Sequence, residues 1–553
     1  MSNPKEFLAG ILYKQITLPQ DTMQALFDYS VEHSADRPCI SFVGEQPITY
    51  RVFGEKVRQI QQTLYSAGLT KGDKIAILSQ NMPNWVIAYF AITTGGMTVV
   101  PLLPDFSKTE VENILEHSDT KALFVSEKQL AKIADIQLDA ISFILKLDDF
   151  SIVENLTSIK DFNKNAHERL TVSESDLCAI IYTSGTTGRS KGVMLTHKNI
   201  VWNAAQSFMF QTINSHDVFL SFLPLSHTYE NTIGMVFPIM YGASICYLDR
   251  PPTPAALLPA LAKVRPTLML SVPLVMEKIY QSQVRSKFIK NKMMQGIYKT
   301  PVIRMIIHRI AGKKLKKAFG SRLKFFGIGG SRLDSRVERF LKEAKFPYAI
   351  GYGLTETAPL LAGAGVKYTR NQSTGFAVEG VTLKINEPNN KRVGEIWAKG
   401  PNVMLGYYKN PELTDEVLTP DGWFKTGDLG KITRKHKRLF VKGRLKSTII
   451  GANGENIYPE DIESVINNIP YVVESLVIEK EGLLVAKILL NIEELAKHIE
   501  KYHVWIENLK TEINLRINRT SQIRKVELVD APFEKTASMK IRRFLYTGKE
   551  GKK

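Results

Sequence analysis

The chain has 553 residues, too many for one compact core, so two or more domains are expected. Its 44% hydrophobic and 23% charged residues are ordinary for a soluble globular protein, whereas a net charge of +18 is not and points to anionic partners such as nucleotides, nucleic acid or an acidic membrane surface. Only three cysteines occur, Cys39, Cys178 and Cys246, with no Cys-x-x-Cys pair, which excludes a cysteine metal or redox motif and fits a reducing compartment.

The first residues lack a long apolar core and a small-residue cleavage site, so no signal peptide is expected. Residues 74–78 (KIAIL) predict a buried strand, 81–84 a turn, 85–92 a helix and 98–102 another strand. This alternation predicts an α/β layered domain. Two further short apolar runs, 178–182 and 193–195, read as strands that enter and leave a loop rich in Gly, Ser and Thr. The loop carries Thr183, Ser184, Gly185, Thr186, Thr187, Gly188 and Lys191. Glycines free the backbone, hydroxyls donate hydrogen bonds and the lysine adds a cation, so the loop can cradle a polyanion; a flexible surface turn is the bland alternative. It is not the common P-loop, because Arg189 follows Gly188 and the lysine comes three residues after that glycine.

Thr196 is placed to cap a helix over the residues that follow. The string 221–230 (SFLPLSHTYE) contains His227, and Ile233, Met235, Val236, Phe237 and Met240 after it could line an alkyl channel or simply pack in the core. Residues 231–248 are free of charge and approach spanning length, but Gly234, Pro238, Gly242 and several polar residues make a buried core segment the expectation. From 282 to 324 there is no acidic residue, while cations alternate with apolar residues at roughly helical spacing. That pattern suits a helix in a membrane interface or, equally, a solvated helical face packed on the protein.

Two strand-to-loop strings follow. The first, 325–331 (FFGIGGS), carries Gly329 and Gly330; the second, 348–357 (YAIGYGLTET), carries Tyr352, Gly353, Thr355 and Glu356. Tyr352 offers a flat face for a purine, Thr355 a hydroxyl for a phosphate and Glu356 a hard oxygen for Mg²⁺. The string 421–430 (DGWFKTGDLG) places Asp428 in a Gly-bounded turn, where a carboxylate can accept from two neighbouring hydroxyls. Then come Arg444 and Lys446, a loop with Gly454 and Glu455, and a basic terminal stretch with Lys540.

Taken together, these strings resemble the adenylate-forming superfamily of acyl-CoA ligases, luciferases and peptide-synthetase adenylation domains, and the wording around His227 looks most like long-chain fatty acyl-CoA ligases of bacteria. The resemblance spans about residue 20 to about residue 545. It implies a large N-terminal domain of layered α/β subdomains and a small, mobile α+β C-terminal domain, with residues 1–443, a hinge at 444–446, and 447–553. It also implies ATP, Mg²⁺ and coenzyme A. By resemblance, His227 stands beside the acyl carboxylate, Gly329 and Gly330 pass the adenine, and Asp428 and Arg444 hold the ribose. Glu356 takes the metal, Lys446 is the pivot, the loop with Gly454 and Glu455 meets the pantetheine arm, and Lys540 serves adenylation.

The chain departs from the family pattern at Ser447, where many relatives are acidic, and at Met539, where most carry glycine. No nucleophile–base constellation is evident. The expected activity is ligation of a medium- or long-chain acid to CoA, with a carrier-protein ligase or an acyl-AMP ligase as the alternative. A peptide-synthetase domain fits less well, because its Phe-Asp-x-Ser string is missing downstream of the phosphate loop. A nucleic-acid binder on a degenerate scaffold is opposed by intact Gly185, Lys191, Glu356, Asp428 and Lys540. The compartment expected is cytoplasmic, with peripheral contact at the inner membrane face through residues 285–324 as one reading of the basic segment.

Overall fold

Residues 74–78 and 98–102 form the strands Lys74–Leu78 and Thr98–Leu102, which pair in parallel and are buried almost throughout. Continuous apolar strands of this kind are stable only where helices cover both faces of the sheet. One cover is the helix Pro83–Thr94, in which every residue from Trp85 onward is buried. It starts inside the segment expected to turn, because Pro83 occupies its first turn, where a missing N–H costs nothing. The computed structural model describes residues 15–136, 140–153, 169–184, 190–281, 296, 298, 300–450, 456–518, 521–535 and 541–547.

Two large sheets organise the chain through residue 444. The seven-stranded sheet runs in the spatial order Gly406–Tyr407, Ser190–Thr196, Leu177–Ser184, Thr98–Leu102, Lys74–Leu78, Thr120–Val125, Phe143–Lys146. The nine-stranded sheet has a parallel centre that includes Leu268–Ser271, Phe325–Ile328 and Tyr348–Gly353, and antiparallel edges. A four-stranded antiparallel sheet follows, containing Phe424–Ile432 and Leu439–Arg444. The molecule is therefore an α/β protein of layered sheets, as expected.

After Arg444 a smaller α+β unit has its own core. Ile457, Ile462, Ile466, Val477, Ile488, Leu509 and Ile513 pack together between the sheet Val472–Lys480, Leu483–Leu490, Lys525–Val529 and the helices Pro459–Ile466 and Tyr502–Asn514. It touches the preceding body through a polar patch. Arg332 pairs with Asp461, and Asp334 accepts hydrogen bonds from Ser464 Oγ (3.3 Å) and Asn468 Nδ2.

The uncharged segment 231–248 is core. It folds as the π-helix Tyr229–Val236, a short helix Phe237–Met240 and the strand Ser244–Tyr247. Among the described residues, no helix is long and apolar enough to cross a membrane.

Candidate active site

The phosphate-loop strands are longer than their apolar cores. Leu177–Ser184 and Ser190–Thr196 pair antiparallel, with Tyr182 opposite Gly192 and Thr183 opposite Lys191. Gly185, Thr186, Thr187 and Gly188 lie outside the described residues, as do Gly454, Glu455 and Lys540. The hairpin is anchored at its base by the helix His197–Gln206. Thr196 caps that helix as expected, accepting from Asn199 N while the Asn199 side chain accepts from Thr196 N. Near the loop, Thr183 Oγ1 is buried with no hydrogen-bond partner among the described residues. A buried hydroxyl of that kind suits an acceptor supplied by a ligand.

Lys191 points from the hairpin to the turn Thr355–Thr357 of the other sheet, where its Nζ lies 3.2 Å from Glu356 Oε1. Tyr407 joins them: it accepts from Lys191 Nζ at 2.5 Å and donates to Glu356 Oε1 at 2.8 Å, while the ammonium sits 4.1 Å from its ring centroid. Burial pushes the Glu356 carboxyl up, but the Lys191 charge and the Tyr407 hydrogen bond outweigh it and hold the carboxyl below its ordinary range. Sequence reasoning singled out Lys191 and Glu356 and missed Tyr407. No group of three His, Cys, Asp or Glu side chains that could hold a metal occurs among the described residues, around Glu356 or elsewhere. One carboxylate beside a lysine ammonium is a donor set that fits Mg²⁺ only if most of its ligands come from elsewhere, as from the oxygens of a bound phosphate.

A second cluster lies along the same strand. Tyr352 donates its hydroxyl to Asp428 Oδ2 at 2.8 Å, and Arg444 Nε meets Asp428 Oδ1 at 2.9 Å. Asp428 and Arg444 are directly opposed in the antiparallel pair Phe424–Ile432 with Leu439–Arg444, which explains how residues in two separate strings converge. Gly353 ends the Tyr352 strand, and a Cβ there would sit 1.8 Å from the Pro359 carbonyl oxygen, so only glycine fits. Gly330 has φ +87, a left-handed conformation that favours glycine, and Gly329 packs against the Tyr229 ring. Thr355 is half-buried at the start of the Glu356 turn.

Between these clusters and the core lies an apolar cavity. Tyr229, Ile233 and Phe237, each four residues apart, line one wall, and Phe325, Gly327 and Gly351 line the other. Of the five apolar residues that could line a channel or pack in the core, Ile233 and Phe237 line this cavity, while Met235, Val236 and Met240 are buried in the core. His227 is half-buried just before the π-helix, where its carbonyl accepts from Asn231 N. Glu230 is a second residue that sequence reasoning missed. Wholly buried, it accepts from Ser221 Oγ at 2.5 Å, and burial pushes its carboxyl up to about 8 against that hydrogen bond. The π-helix that carries it needs Gly234, since a Cβ there would fall 2.6 Å from the Glu230 carboxyl carbon.

The AMP-binding enzyme family model matches residues 27–408. The chain belongs to the AMP-binding enzyme family. Like it, fatty acyl-CoA synthetase A of Dictyostelium discoideum is 30% identical over 467 residues, covering 77% of this chain and 68% of that protein. The long-chain-fatty-acid–CoA ligase heimdall of Drosophila melanogaster is 28% identical over 81% of this chain and 73% of its own length. An Arabidopsis thaliana relative, the chloroplastic long-chain-fatty-acid–[acyl-carrier-protein] ligase AEE15, is 28% identical over 91% of this chain and 81% of its own. Among solved structures, the ATP-bound RpMatB-BxBclM chimera B1 superposes with a TM-score of 0.77 at 24% identity, covering 95% of this AMP-binding enzyme and 98% of that chain. At that identity the likeness speaks to the fold.

Proposed function

We propose that this protein is an ATP-dependent fatty acid–CoA ligase: it converts a medium- or long-chain carboxylic acid to its acyl-adenylate and passes the acyl group to CoA. The carrying observation is the joining of three features on one strand and its following turn. Tyr352 with Asp428 and Arg444, Glu356 with Lys191 and Tyr407, and the apolar cavity past Gly351 all meet there.

In this reading the first step forms a bond between a carboxylate oxygen and the α-phosphorus while pyrophosphate leaves. Bringing two anions together needs positive charge where negative charge gathers. Lys191 and the hydroxyls of the hairpin hold the departing phosphates, Thr355 contacts phosphate, and Lys540 meets the α-phosphoryl oxygens. Mg²⁺ on Glu356 supplies further charge neutralisation when bound. Tyr352 with Gly329, Gly330 and Gly353 borders the adenine, and Asp428 with Arg444 takes the ribose. His227 stands at the acyl carboxylate, with the alkyl chain in the cavity beyond it. In the second step the CoA thiol attacks the acyl carbonyl and AMP leaves, with Gly454 and Glu455 near the pantetheine arm. The domains proposed are 1–443 and 447–553 about a hinge at 444–446 with Lys446 as pivot. We place the protein in the cytoplasm, with peripheral contact at the inner membrane face through residues 285–324.

The acceptor has one rival, because a relative over most of the chain is an acyl-carrier-protein ligase. A pyrophosphate-release screen across acids of increasing length, followed by AMP release with CoA or with acyl-carrier protein, tests both. AMP release that depends on CoA is expected, and release that depends only on the carrier protein would overturn the CoA assignment.

Tyr407→Phe tests the bridging hydroxyl. Losing a hydrogen bond to a buried charged group costs about 1.5–3 kcal/mol, so kcat/KM for ATP·Mg²⁺ should fall by about ten- to a hundredfold. The rise in the Mg²⁺ concentration needed for half-maximal rate should accompany it, while KM for CoA stays as it was. Unchanged Mg²⁺ dependence would remove Tyr407 from the site.

A further inference from the structure

The described part of the basic segment contains the helix Pro301–Ala318. It turns Arg304 and His308 inward and leaves Val302, Ile303, Ile306 and Ile310 exposed. On the inner face Arg304 pairs with Glu343 at 3.0 Å, and His308, 1% exposed, lies between Glu343 Oε2 at 2.7 Å and the Tyr298 hydroxyl at 2.7 Å. Gly312 lets the helix close on its neighbour, since a Cβ there would sit 2.5 Å from the Ala344 carbonyl oxygen. This polar clamp fixes which face looks out. On that face Val302 is 61% exposed, Ile303 39%, Ile306 51% and Ile310 55%.

At 100° per residue, Val302, Ile306 and Ile310 form one stripe, and Lys313 and Lys317 continue it toward the C-terminal end. Lys314 and Arg309 flank the stripe and are likewise exposed. No carboxylate occurs in the chain from 282 to 324 to offset this charge. Exposed aliphatic side chains ordered along one face, with cations beside them, are neither a solvated face nor a packed one.

We propose that the outward face of Pro301–Ala318 docks on an anionic lipid surface, with Val302, Ile303, Ile306 and Ile310 entering the acyl boundary and Lys313, Lys314, Lys316 and Lys317 meeting the headgroups. Both chemistries of the face are used there. A second copy of this chain would bring together two faces of a protein with net charge +18, and a nucleic acid would use the lysines but leave four aliphatic side chains in water. The docking face narrows the membrane contact proposed above for residues 285–324 to one helix face, and it rests on that helix and not on the ligase chemistry.

The test is sedimentation of the full-length protein with vesicles of phosphatidylcholine alone or mixed with phosphatidylglycerol. The wild type should sediment with the mixed vesicles only and be released as salt rises. Replacing Lys313, Lys314, Lys316 and Lys317 with Gln should lower partitioning by about tenfold or more. The variant Val302→Ser, Ile306→Ser, Ile310→Ser should lose it comparably. Both variants should turn over a soluble short-chain acid at the wild-type rate, which shows them folded. Equal sedimentation of the wild type and the lysine variant overturns the proposal. So does full binding by the apolar variant, or self-association that this variant abolishes without any vesicle binding. A wild type that docks but releases no AMP from any acid leaves the docking face standing and sinks the ligase reading.

Discussion

Lys540→Ala is expected to lower acyl-adenylate formation by about a hundred- to a thousandfold, the scale on which removing one electrostatic stabiliser acts. The same variant should still convert a synthetic acyl-adenylate and CoA to product. The difference follows from where charge develops. Adenylation gathers negative charge on the α-phosphoryl oxygens, whereas thiol attack on the mixed anhydride develops it at the acyl carbonyl, with AMP already a good leaving group. Arg542, two residues after Lys540, lies 3.9 Å from Glu110 on the helix Lys108–His117, and His117 on that helix contacts the Tyr182 hydroxyl at the mouth of the phosphate hairpin. Arg542 thus meets the body of the protein on the helix that also contacts this hairpin. Measuring the two half-reactions separately decides the matter: an equal fall in both would mean that Lys540 has another role.

The sequence was readable where local chemistry and function coincide. The strands Lys74–Leu78 and Thr98–Leu102 are continuous apolar runs, and the Thr196 cap lies directly before its helix. Asp428 and Arg444 could be named from strings, but their register could not, because opposed positions on two strands depend on a turn geometry that no string encodes. Tyr407 left no trace at all. It sits on the two-residue strand Gly406–Tyr407, too short for any periodicity, and its partners Glu356 and Lys191 lie 51 and 216 residues away. Glu230 was hidden differently: nothing in the string 221–230 marks its carboxyl as buried, and only the π-helix places it in the core between Ser221 and Gly234. The helix Pro301–Ala318 shows the same limit in reverse. Its alternating cations and isoleucines could not tell which face was inward until Glu343, from a later helix, claimed Arg304 and His308.

Lys446→Pro is expected to keep adenylation and lose thioester formation, a separation opposite to that of Lys540→Ala. Lys446 is exposed at the centre of the 3₁₀ turn Leu445–Ser447, which leads from Arg444, paired with Asp428, into the smaller unit. Proline holds φ near −65°, the value a 3₁₀ turn already carries, so it favours the arrangement present. That arrangement is also pinned from both sides. Ser447 Oγ donates to Glu460 Oε1 at 2.8 Å, tying the turn to the helix Pro459–Ile466. Farther out, Arg332 holds Asp461, and Asp334 holds Ser464 and Asn468 while its other oxygen caps the helix Ser335–Glu343. These contacts are polar and partly exposed, of the kind that form and break at modest cost, so they would yield to the proposed domain motion. Fixing the turn removes the motion and leaves the contacts. The restriction that proline places on Leu445 lowers stability somewhat, and a thermal melt reads that cost apart from activity. Pre-steady-state quench experiments should then find acyl-adenylate accumulating at the wild-type rate and CoA failing to discharge it. Normal overall turnover in this variant would show that Lys446 is not the pivot.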